Sequence, residues 1–274
     1  MVTVDRQLHR LRRRYGTAET IADELRADIL RGDAPEGDLL PKLDELTARF
    51  SASKLTIRDA LRILETEGLV SVQRGNVGGA IAHLPTSGNV AYTLSLVFEG
   101  REVTVDEVAG SIERLEPVCA EMCAERPNRA STVLPLLSAA QSQLSDAITS
   151  GDKDGARRAA RRWHEVLVNQ CGNNATAITV GAMQAIWSSH IHSIAVEETA
   201  KGLDMPDAVM RQTYAEHAEI QEFIEAGDAI RAGQALRAHT RTVRPGVAVV
   251  TYSGQTHERP ARIHVARTRD RLAR

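Results

Sequence analysis

The sequence predicts a mainly α-helical protein of two domains, a small N-terminal helical domain closed by a β-hairpin and a larger C-terminal antiparallel bundle of helices. Its 274 residues are enough for two hydrophobic cores, and 42% of them are hydrophobic. Apolar residues recur at helical spacing along most of the chain, and strand-like runs before the C-terminal tail are confined to residues 69–83. Turn-forming residues at 86–89 separate the two patterns.

The chain begins with a basic segment, residues 1–16, which is predicted to be an N-terminal arm. An arm of this kind either follows a phosphate backbone or stays solvated as a chain terminus. The first helix is predicted over residues 17–30, where Ile21, Leu25 and Ile29 recur at i, i+4 and i+8. The arginines of the arm are Arg6, Arg10, Arg12, Arg13 and Arg14.

Two short helices follow, joined by a polar turn. The first places Leu43, Leu46 and Phe50 on one face, and the turn at residues 51–53 supplies a serine that can cap the second. The second helix, residues 54–67, has an apolar face and an opposite, cationic face. Two helices with this spacing form a helix-turn-helix, whose second helix enters the major groove of DNA. The apolar face consists of Ile57, Ala60, Leu61 and Leu64, and the opposite face of Lys54, Leu55, Arg58 and Arg62.

A predicted hairpin completes this domain. Residues 69–73 read as a strand, 74–76 as a turn and 78–83 as the return strand. A hairpin beside the second helix would form a wing, so residues 17–85 are predicted to be a winged helix-turn-helix domain. Residues 86–89 are predicted to be the linker to the next domain.

The residues of this region resemble the winged-helix domain of GntR-type bacterial transcription regulators. The resemblance rests on the run LLP-x3-EL-x9-TIRDALR-x-LE-x-EGLV, followed by RGNVGGA. It implies that Ser53, Lys54, Thr56 and Arg58 contact operator DNA and that Arg74 and Gly75 lie at the wing tip. Arg58 is suited to the edge of a guanine, and Leu55 to the methyl group of a thymine. Ser53, Lys54 and Thr56 are suited to phosphates. Asp44 stands where many relatives have an arginine, and an aspartate there would repel phosphate or face away from it.

The region from 90 to 244 is predicted to be entirely helical, and residues 245–274 form a C-terminal tail. Helices are expected over 91–98, 105–126, 134–149, 152–170, 174–193, 207–226 and 228–243. Without strand alternation, these helices predict an antiparallel bundle. The run SIERLE at 111–116, Trp163-His164, Gly172-Asn173 and the later histidines resemble the ligand-sensing domain of the FadR branch of GntR regulators. That resemblance implies an effector-binding bundle that also forms a homodimer.

Three histidines in the bundle are candidate ligands of a divalent metal of the Zn or Ni type. His164, His217 and His239 lie on three predicted helices, and antiparallel packing would bring the last two to a similar depth. The resembled domain has a fourth ligand, an aspartate one turn before the first histidine, and Ala160 occupies that position here. Three imidazoles with water can still hold a metal. The alternative is a set of core histidines that bond to one another or to a ligand.

The effector pocket is placed by the resemblance at Ile112, Glu116 and Asn173. Ile112 stands where many relatives carry an arginine that anchors a carboxylate. Replacement charge is available on the helix over 152–170, although four arginines within six positions cannot all face inward. His190 and His192 diverge on a helix and are interpreted as ordinary polar residues. The four arginines are Arg157, Arg158, Arg161 and Arg162.

Composition excludes several function classes. The chain has no apolar run long enough for a membrane span, and its three cysteines lack a C-x-x-C pair, which favours reduced thiols in the cytoplasm. Aromatic residues, at 3%, are too few for a protein that binds single strands by base stacking. Residues 1–84 carry 13 basic and 13 acidic side chains, so DNA binding depends on where the cations lie.

These observations predict a homodimeric transcription regulator, a repressor that binds double-stranded operator DNA and responds to a small metabolite. One alternative is a metal-free regulator that answers to an acyl-CoA or another lipid-derived ligand. The other is a metal sensor in which the ion itself is the effector. An enzyme is not predicted, because no carboxylate lies at motif spacing beside the histidines and no nucleophile elbow occurs.

Overall fold

The computed structural model of the chain describes residues 2–73, 79–200, 206–242 and 262–263, with backbone only for 2–16 and 193–200. Within these ranges it contains eleven helices and one two-stranded sheet, which confirms the predicted mainly α fold class. The chain divides into two units between Asn89 and Val90.

The N-terminal unit contains three helices and a hairpin. The helices are α1 (Val2–Arg31), α2 (Leu43–Phe50) and α3 (Lys54–Thr66), and the strands are β1 (Val70–Val72) and β2 (Ala80–Ala82). The strands pair antiparallel with Val70 opposite Ala82. The apolar residues of the three helices and the two strands meet in one core, because each element can bury only one face. Its largest fully buried side chains are Leu25, Ile29, Leu46, Ile57 and Leu64.

The first helix is longer than the sequence analysis predicted. It begins at Val2 and not at residue 17, so the predicted basic arm is part of α1. The physical reason is propensity, since arginine and leucine are good helix formers and no proline interrupts residues 2–16. Charge alone therefore did not distinguish an arm from the first turns of a helix.

The C-terminal unit contains the remaining eight helices within the described residues. Seven of them were predicted, and the four-residue α6 was not. A segment that short shows no periodicity. The ends of the seven differ from the predicted ones by at most four residues, except that α9 continues seven residues beyond its predicted end at 193. The helices are α4 (Ser87–Gly100), α5 (Val105–Glu125), α6 (Arg129–Thr132), α7 (Leu134–Ser150), α8 (Lys153–Asn169), α9 (Asn174–Ala200), α10 (Asp207–Ala226) and α11 (Ala229–Thr242).

The core of this unit is built around Trp163 of α8, whose side chain is completely buried. It is surrounded by apolar residues of α5, α7, α10 and α11, among them Leu137, Ile220 and Leu236. Three thiols belong to the same cluster, and burial raises the pKa of Cys123 to about 12. The cysteines Cys119, Cys123 and Cys171 are all free and buried.

The predicted linker over residues 86–89 ends at the boundary between the two units, and α4 begins within it, at Ser87. The Asn89 side chain accepts hydrogen bonds from the backbone and the hydroxyl of Thr86, both at 2.9 Å. Residues that favour turns also cap helix N-termini, so their composition did not distinguish the two.

One short piece of the predicted tail is part of the C-terminal unit. Ile263 is completely buried in a cluster with residues of α4, α5 and α9, including Ala91, Val105 and Ile186. Its backbone N–H donates to the Val103 carbonyl at 3.1 Å, and Arg262 forms an ion pair with Glu102. Residues 245–261 and 264–274 of the tail lie outside the described residues.

Candidate functional site

The first candidate site is the outer face of α3. Ser53 caps this helix, with its Oγ accepting from the Thr56 N–H at 3.1 Å, and Ile57, Ala60 and Leu64 bury the opposite face. The helix is thereby fixed with its cationic side turned outward. Ser53, Lys54, Leu55, Arg58 and Arg62 are all exposed, as a nucleic-acid contact requires.

Arg58 differs from the other cations of this face. Lys54 pairs with Asp44 at 2.5 Å and Arg62 lies 3.9 Å from Asp59, whereas Arg58 makes no ion pair or hydrogen bond with any described residue. Its five donors are therefore available to an external partner. Asp44 turns to Lys54, so it partly neutralises the charge that the sequence analysis assigned to phosphate binding.

Thr56 does not lie on this exposed face, which corrects its predicted role as a phosphate contact. Its side chain is 7% exposed, and its hydroxyl lies 2.8 Å from the Ser53 hydroxyl. A residue at the third position of a helix turns its N–H and side chain toward the cap, which explains the burial. Arg74 and Gly75 of the predicted wing tip lie outside the described residues.

The second candidate site is a histidine triad inside the C-terminal unit. The structure brings together the three candidate ligands, His164 of α8, His217 of α10 and His239 of α11. Their three Nε2 atoms lie 3.2–3.3 Å from one another. His217 and His239 are almost completely buried, while His164 is half-buried.

Two carboxylates fix the orientation of two of these rings. The Nδ1–H of His164 donates to Glu116 at 2.6 Å, and the Nδ1–H of His239 donates to Glu216 at 2.5 Å. The third ring, His217, stacks on Trp163 with a centroid distance of 4.0 Å. Because a carboxylate only accepts, each bonded Nδ1 carries the hydrogen, and the Nε2 of a neutral ring is left with a lone pair.

Two rings of the triad, those of His217 and His239, are held in the neutral form. Burial, together with the neighbouring imidazoles, lowers the pKa of His217 well below its ordinary value. Burial also lowers the pKa of His239, against the opposing effect of Glu216. For Glu216 burial works against ionisation, but hydrogen bonds from His239 and Gln212 outweigh it and lower the pKa. The carboxylate of Glu216 is therefore charged and the imidazoles of His217 and His239 are neutral near pH 7.

These residues fit a divalent metal. Two nitrogens that share one tetrahedral ion at 2.0–2.1 Å lie roughly 3.3 Å apart, close to the Nε2 separations of the triad. The carboxylates that orient the rings are the outer partners that metal-binding histidines usually have. Without a cation the lone pairs of His164 and His239 face each other, and the single Nε2–H that His217 can carry lies beside both of them. The alternative, a histidine set bonded only to itself, therefore leaves one lone pair without a donor, whereas an ion between the rings takes up all three. The buried Nδ1 of His217 has no partner among the described residues, and an ion at Nε2 does not change this.

A cavity of about 190 Å³ opens beside the triad, between α5, α8, α9, α10 and α11. Its wall includes His164 and His239, together with two of the predicted effector residues, Ile112 and Glu116. The third predicted residue, Asn173, does not line this cavity. It is exposed and its side chain caps α9 through the Thr176 N–H at 3.1 Å.

Several cavity residues were not identified from the sequence. His192, interpreted as an ordinary polar residue, lines the wall. Two buried polar atoms of wall residues, Gln184 Oε1 and Trp187 Nε1, have no partner within the described part of the chain. The sequence contained a pattern that could have identified these residues, since five cavity residues recur at helical spacing on one face of α9. They are Gln184, Trp187, Ser188, Ile191 and His192.

The four arginines of α8 separate into two faces. Arg157 and Arg161 line the cavity one turn apart, whereas Arg158 and Arg162 are exposed to solvent. Arg157, Arg158 and Arg162 lie near carboxylates at 2.6, 3.7 and 3.4 Å. Arg161 makes no such pair with the residues that the structure describes. One cation in the cavity wall is thus available to a ligand.

Two family profiles match this chain. The profile described as "Bacterial regulatory proteins, gntR family" matches residues 17–77, which include the helix-turn-helix, and the FCD domain profile matches residues 111–242, which include the triad. The chain belongs to the GntR family. It carries the FCD domain as its helical unit, which confirms the resemblance drawn from the sequence. The gntR profile match also confirms the prediction that the chain belongs to a family of regulatory proteins and not of enzymes.

Individual relatives cover smaller parts of the chain. The HTH-type transcriptional regulator Mce2R of Mycobacterium tuberculosis is 28% identical over 116 residues, 41% of this chain and 48% of Mce2R. The mannosyl-D-glycerate transport/metabolism system repressor MngR of Escherichia coli is 43% identical over 54 residues, 19% of this chain and 22% of MngR. The chain thus spans at most about half the length of these curated relatives.

A solved structure shows the same fold over most of the chain. The GntR protein of Streptococcus agalactiae aligns with a TM-score of 0.58 and 22% identity, covering 82% of this chain and 98% of that one. This likeness concerns the fold alone.

In the described part of the chain, no helix combines the length and the apolar content that crossing a bilayer requires.

Proposed function

We propose that this GntR-family member is a cytoplasmic, homodimeric repressor of transcription that binds operator DNA through α3 and a small effector through its FCD domain. The observation that carries the proposal is Arg58. It is exposed on the outer face of a capped and well-packed helix, and none of the described residues pairs with it. An unpaired guanidinium on an outward helix face is suited to a guanine edge in the major groove.

The other residues of this surface have supporting roles. Lys54, Arg62 and Ser53 would hold phosphates, which adds affinity without sequence information, and Leu55, 48% exposed, would rest on a thymine methyl. The wing residues Arg74 and Gly75 are assigned to the adjacent backbone on the resemblance alone. Thr56 is left out of the contact set, since it stabilises the cap.

A homodimer is supported by apolar surface on the FCD domain. Leu96 and Val97 of α4 are about half exposed, and Leu115 and Val118 of α5, one turn apart, are 42% and 39% exposed. Groups of exposed large apolar side chains are typical of association surfaces. A two-fold dimer would read two half-sites about one helical turn of DNA apart, or a multiple of it.

The FCD domain is proposed to hold a divalent metal at His164, His217 and His239, with the effector in the adjoining cavity. A bound Zn or Ni ion would supply positive charge and an open ligand position next to that cavity. A volume of about 190 Å³ is below the roughly 300 Å³ at which pockets for drug-sized ligands begin, which argues against an acyl-CoA inside it. The apolar wall around Ile112 and Met210 favours an organic effector over the metal ion as the signal.

Regulation requires that the effector distinguish two arrangements of the protein. We propose that effector binding releases the protein from DNA, because the cavity lies between helices of the FCD domain and a ligand there can change how they pack. An effector with equal affinity for both arrangements would change nothing.

Selection of bound duplexes from a random DNA pool tests the proposal. We expect a palindromic site for the full-length protein and, for Arg58→Ala, loss of preference for that site by about 1–3 kcal/mol while salt-sensitive binding persists. Arg237→Ala, an exposed arginine of α11, is the matched control and should behave as the parent protein. Unchanged base preference in Arg58→Ala would remove Arg58 from base reading, and an absence of any enriched sequence would contradict the proposed function.

Metal analysis of protein purified without a His-tag tests the proposed metal site independently of DNA binding. We expect close to one equivalent of a divalent transition metal per chain, removed by a chelator. Less than a few tenths of an equivalent after incubation with Zn²⁺ would contradict the metal site and leave DNA binding untouched.

A further inference from the structure

Charge is unevenly distributed over the DNA-binding unit. Residues 1–16 carry 5 basic and 1 acidic side chains, a net charge of +4, whereas residues 17–84 carry 8 basic and 12 acidic ones, a net charge of −4. The gntR profile begins at residue 17, so the acidic part is the part that the profile matches. A DNA duplex carries one negative charge per ~1.7 Å, and an acidic domain binds it only where its cations are concentrated.

Most cations of the acidic part already have carboxylate partners. Within the described residues 17–73, five of the seven lysine and arginine side chains lie 2.5–3.9 Å from an aspartate or glutamate oxygen. The partner carboxylate repels a phosphate, so a paired cation contributes little to DNA affinity. Residues 1–16 therefore hold the excess positive charge of the unit. The five paired cations are Arg26, Arg31, Arg49, Lys54 and Arg62.

The basic residues form the first half of one long helix. α1 extends from Val2 to Arg31, and apolar positions recur along it at alternating spacings of four and three residues. The second half of this series is buried in the core of the unit. The first half continues the same register through residues 2–16, which we call the N-terminal extension of α1. The series consists of Val4, Leu8, Leu11, Tyr15, Ala18, Ala22, Leu25 and Ile29.

The charges of the N-terminal extension are ordered around the helix. A helix turns by roughly 100° per residue, and four of the five arginine positions fall within an arc of about that width. The apolar positions of the extension fall in a separate stripe. The extension therefore has a cationic face, as the contact of a helix with a row of phosphates requires. The four positions of this face are Arg6, Arg10, Arg13 and Arg14.

The extension joins the part of α1 that is anchored to the recognition helix. Leu25 shares a core with Ile57 of α3, and the Arg26 guanidinium donates to both oxygens of Glu67, at the end of α3, at 2.7 and 2.8 Å. A helix rises about 1.5 Å per residue, so residues 2–16 add roughly 22 Å to the anchored part. Phosphates of one DNA strand are about 3.4 Å apart along the duplex, so this length matches about six of them.

We infer that the N-terminal extension of α1 is a second DNA-contacting element, whose cationic face binds phosphates next to the site that α3 reads. This inference rests on the proposed operator binding and deepens it. The extension supplies affinity for any sequence, because phosphate contacts carry no base information, whereas Arg58 supplies the discrimination. Duplex DNA is favoured over an anionic membrane surface because the extension is continuous with the helix that packs on α3.

Fluorescence anisotropy of labelled duplexes at several KCl concentrations tests the inference on the full-length protein. The two duplexes are the sequence enriched from the random pool and a scrambled sequence of the same length. The triple arginine variant, Arg6→Gln/Arg10→Gln/Arg13→Gln, should bind both about tenfold or more weakly near 150 mM KCl, with a salt slope shallower by about 2–3. The ratio of its two affinities should equal that of the parent, in contrast to Arg58→Ala.

The matched control removes the same charge from exposed positions of the FCD domain. Arg158→Gln/Arg211→Gln/Arg237→Gln should bind both duplexes within about twofold of the parent. Glutamine is nearly as good a helix former as arginine, so neither variant changes helix propensity much.

Leu8→Pro distinguishes a helical contact from a charged chain without regular structure. Proline in the interior of a helix removes a backbone hydrogen bond and breaks the helix, while every charge is kept. We expect affinity for both duplexes to fall about threefold or more. Leu8→Ala keeps the charges and the helix, and should bind DNA as the parent does.

The inference is overturned if the triple arginine variant keeps the affinity and salt slope of the parent, or if it loses affinity for the enriched sequence alone. Parent-like DNA binding by Leu8→Pro overturns the helical contact. A halved mass of the triple arginine variant in sedimentation overturns the inference too, since the loss then comes from dissociation of a dimer.

Two further outcomes identify what has failed. Parent protein that binds vesicles of phosphatidylcholine and phosphatidylserine, with this binding but not DNA binding lost in the triple arginine variant, overturns the inference in favour of a membrane surface. No binding of the parent to either duplex contradicts the proposed operator binding as well, whereas DNA binding that the triple arginine variant retains in full contradicts only this inference.

Discussion

The outer face of α3 and the histidine triad are both sets of polar side chains on helices, but they are built in opposite ways. Arg58 is exposed and pairs with none of the described residues, and the buried face of its helix holds the surrounding surface in place. In the triad, His217 and His239 are buried and stacked on neighbours, and two carboxylates orient two of the rings. A macromolecular partner brings its own shape and charge to a surface, whereas a small ligand or ion needs groups that are already oriented and desolvated.

This difference has an energetic consequence. Substitutions on the α3 face should change DNA binding with little effect on folding, because exposed side chains contribute little to stability. Substitutions in the triad should change both ligand binding and folding. Trp163 and Trp187 are the two tryptophans of the sequence and both lie in the FCD domain, so tryptophan fluorescence reports on that unit.

The largest effect is expected for His217→Ala. The ring is fully buried against Trp163, so its removal leaves a cavity and should lower the free energy of unfolding of the FCD domain by on the order of 3 kcal/mol. Urea unfolding followed by tryptophan fluorescence measures it, and Zn²⁺ binding should be lost in the same variant. His192→Ala, in the cavity wall but outside the triad, is the control and should retain Zn²⁺ binding. Retained Zn²⁺ affinity in His217→Ala would show that the buried triad does not form the metal site.

A comparable loss is expected for Ile263→Ala, which tests whether the short tail segment belongs to the FCD core. Ile263 is completely buried in the cluster that Trp187 packs against, and truncation of a buried isoleucine costs about 2–5 kcal/mol. The same fluorescence-monitored unfolding measures it. Ile230→Ala, 71% exposed in α11, should change stability by less than about 0.5 kcal/mol. Equal midpoints for the two variants would show that the segment does not contribute to the core.

The free energy of unfolding of the metal-free FCD domain is expected to depend on pH. The pKa values of His217 and His239 are lowered from 6.5 in the folded state, so below pH 6.5 the unfolded chain binds more protons than the folded one. Stability should therefore be complete above pH 6.5 and decrease as the pH falls below it. The lowered pKa of Glu216 adds a further loss only below its ordinary value of 4.5.

Fluorescence-monitored unfolding with a chelator at pH 7.5, 6.5 and 5.5 tests this dependence. His217→Ala should show a weaker decrease than the parent protein, and His192→Ala should show the same decrease. A constant midpoint between pH 7.5 and 5.5 would contradict the burial of His217 and His239 as neutral rings.

The smallest change in stability is expected for Asp44→Asn on the DNA-binding side. Its pair with Lys54 is exposed on both sides, and such pairs contribute about 0.2–1 kcal/mol. Removing the carboxylate frees Lys54 for phosphate, so affinity for duplex DNA should rise and its salt dependence should steepen by about one counterion. Fluorescence anisotropy at several KCl concentrations measures both quantities. Asp146→Asn, exposed in α7, should leave them unchanged, and weaker DNA binding by Asp44→Asn would show that Asp44 serves the contact surface.

Much of the helical framework could be predicted from the sequence because its apolar periodicity is strong. The start of α5 at Val105 and of α9 at Asn174 coincide with the predicted positions, and Gly151 and Gly227, in the left-handed conformation, end α7 and α10. The predictions failed where composition is ambiguous. The basic residues before Thr17 are also good helix formers, and the turn residues at 86–89 cap and begin α4.

The candidate sites show the same division. Spacing predicted that His217 and His239 lie at a similar depth, and the family resemblance added His164. Nothing in the sequence identified Glu116 and Glu216 as the partners of His164 and His239. A hydrogen bond between residues 48 positions apart depends on how whole helices pack, and a linear pattern contains no such information. Asn173 was assigned to the pocket by resemblance and is a helix cap instead.

The sequence by itself determined where the helices lie, which face of α3 is cationic and which histidines meet, because these follow from local periodicity and from short motifs. Only the tertiary structure decided which arginine of α8 has no carboxylate partner among the described residues, that the tail contributes Ile263 to the core, and that Thr56 is buried. The physical reason is that pairing and burial depend on contacts between elements distant in the chain, whereas periodicity is a property of each element alone.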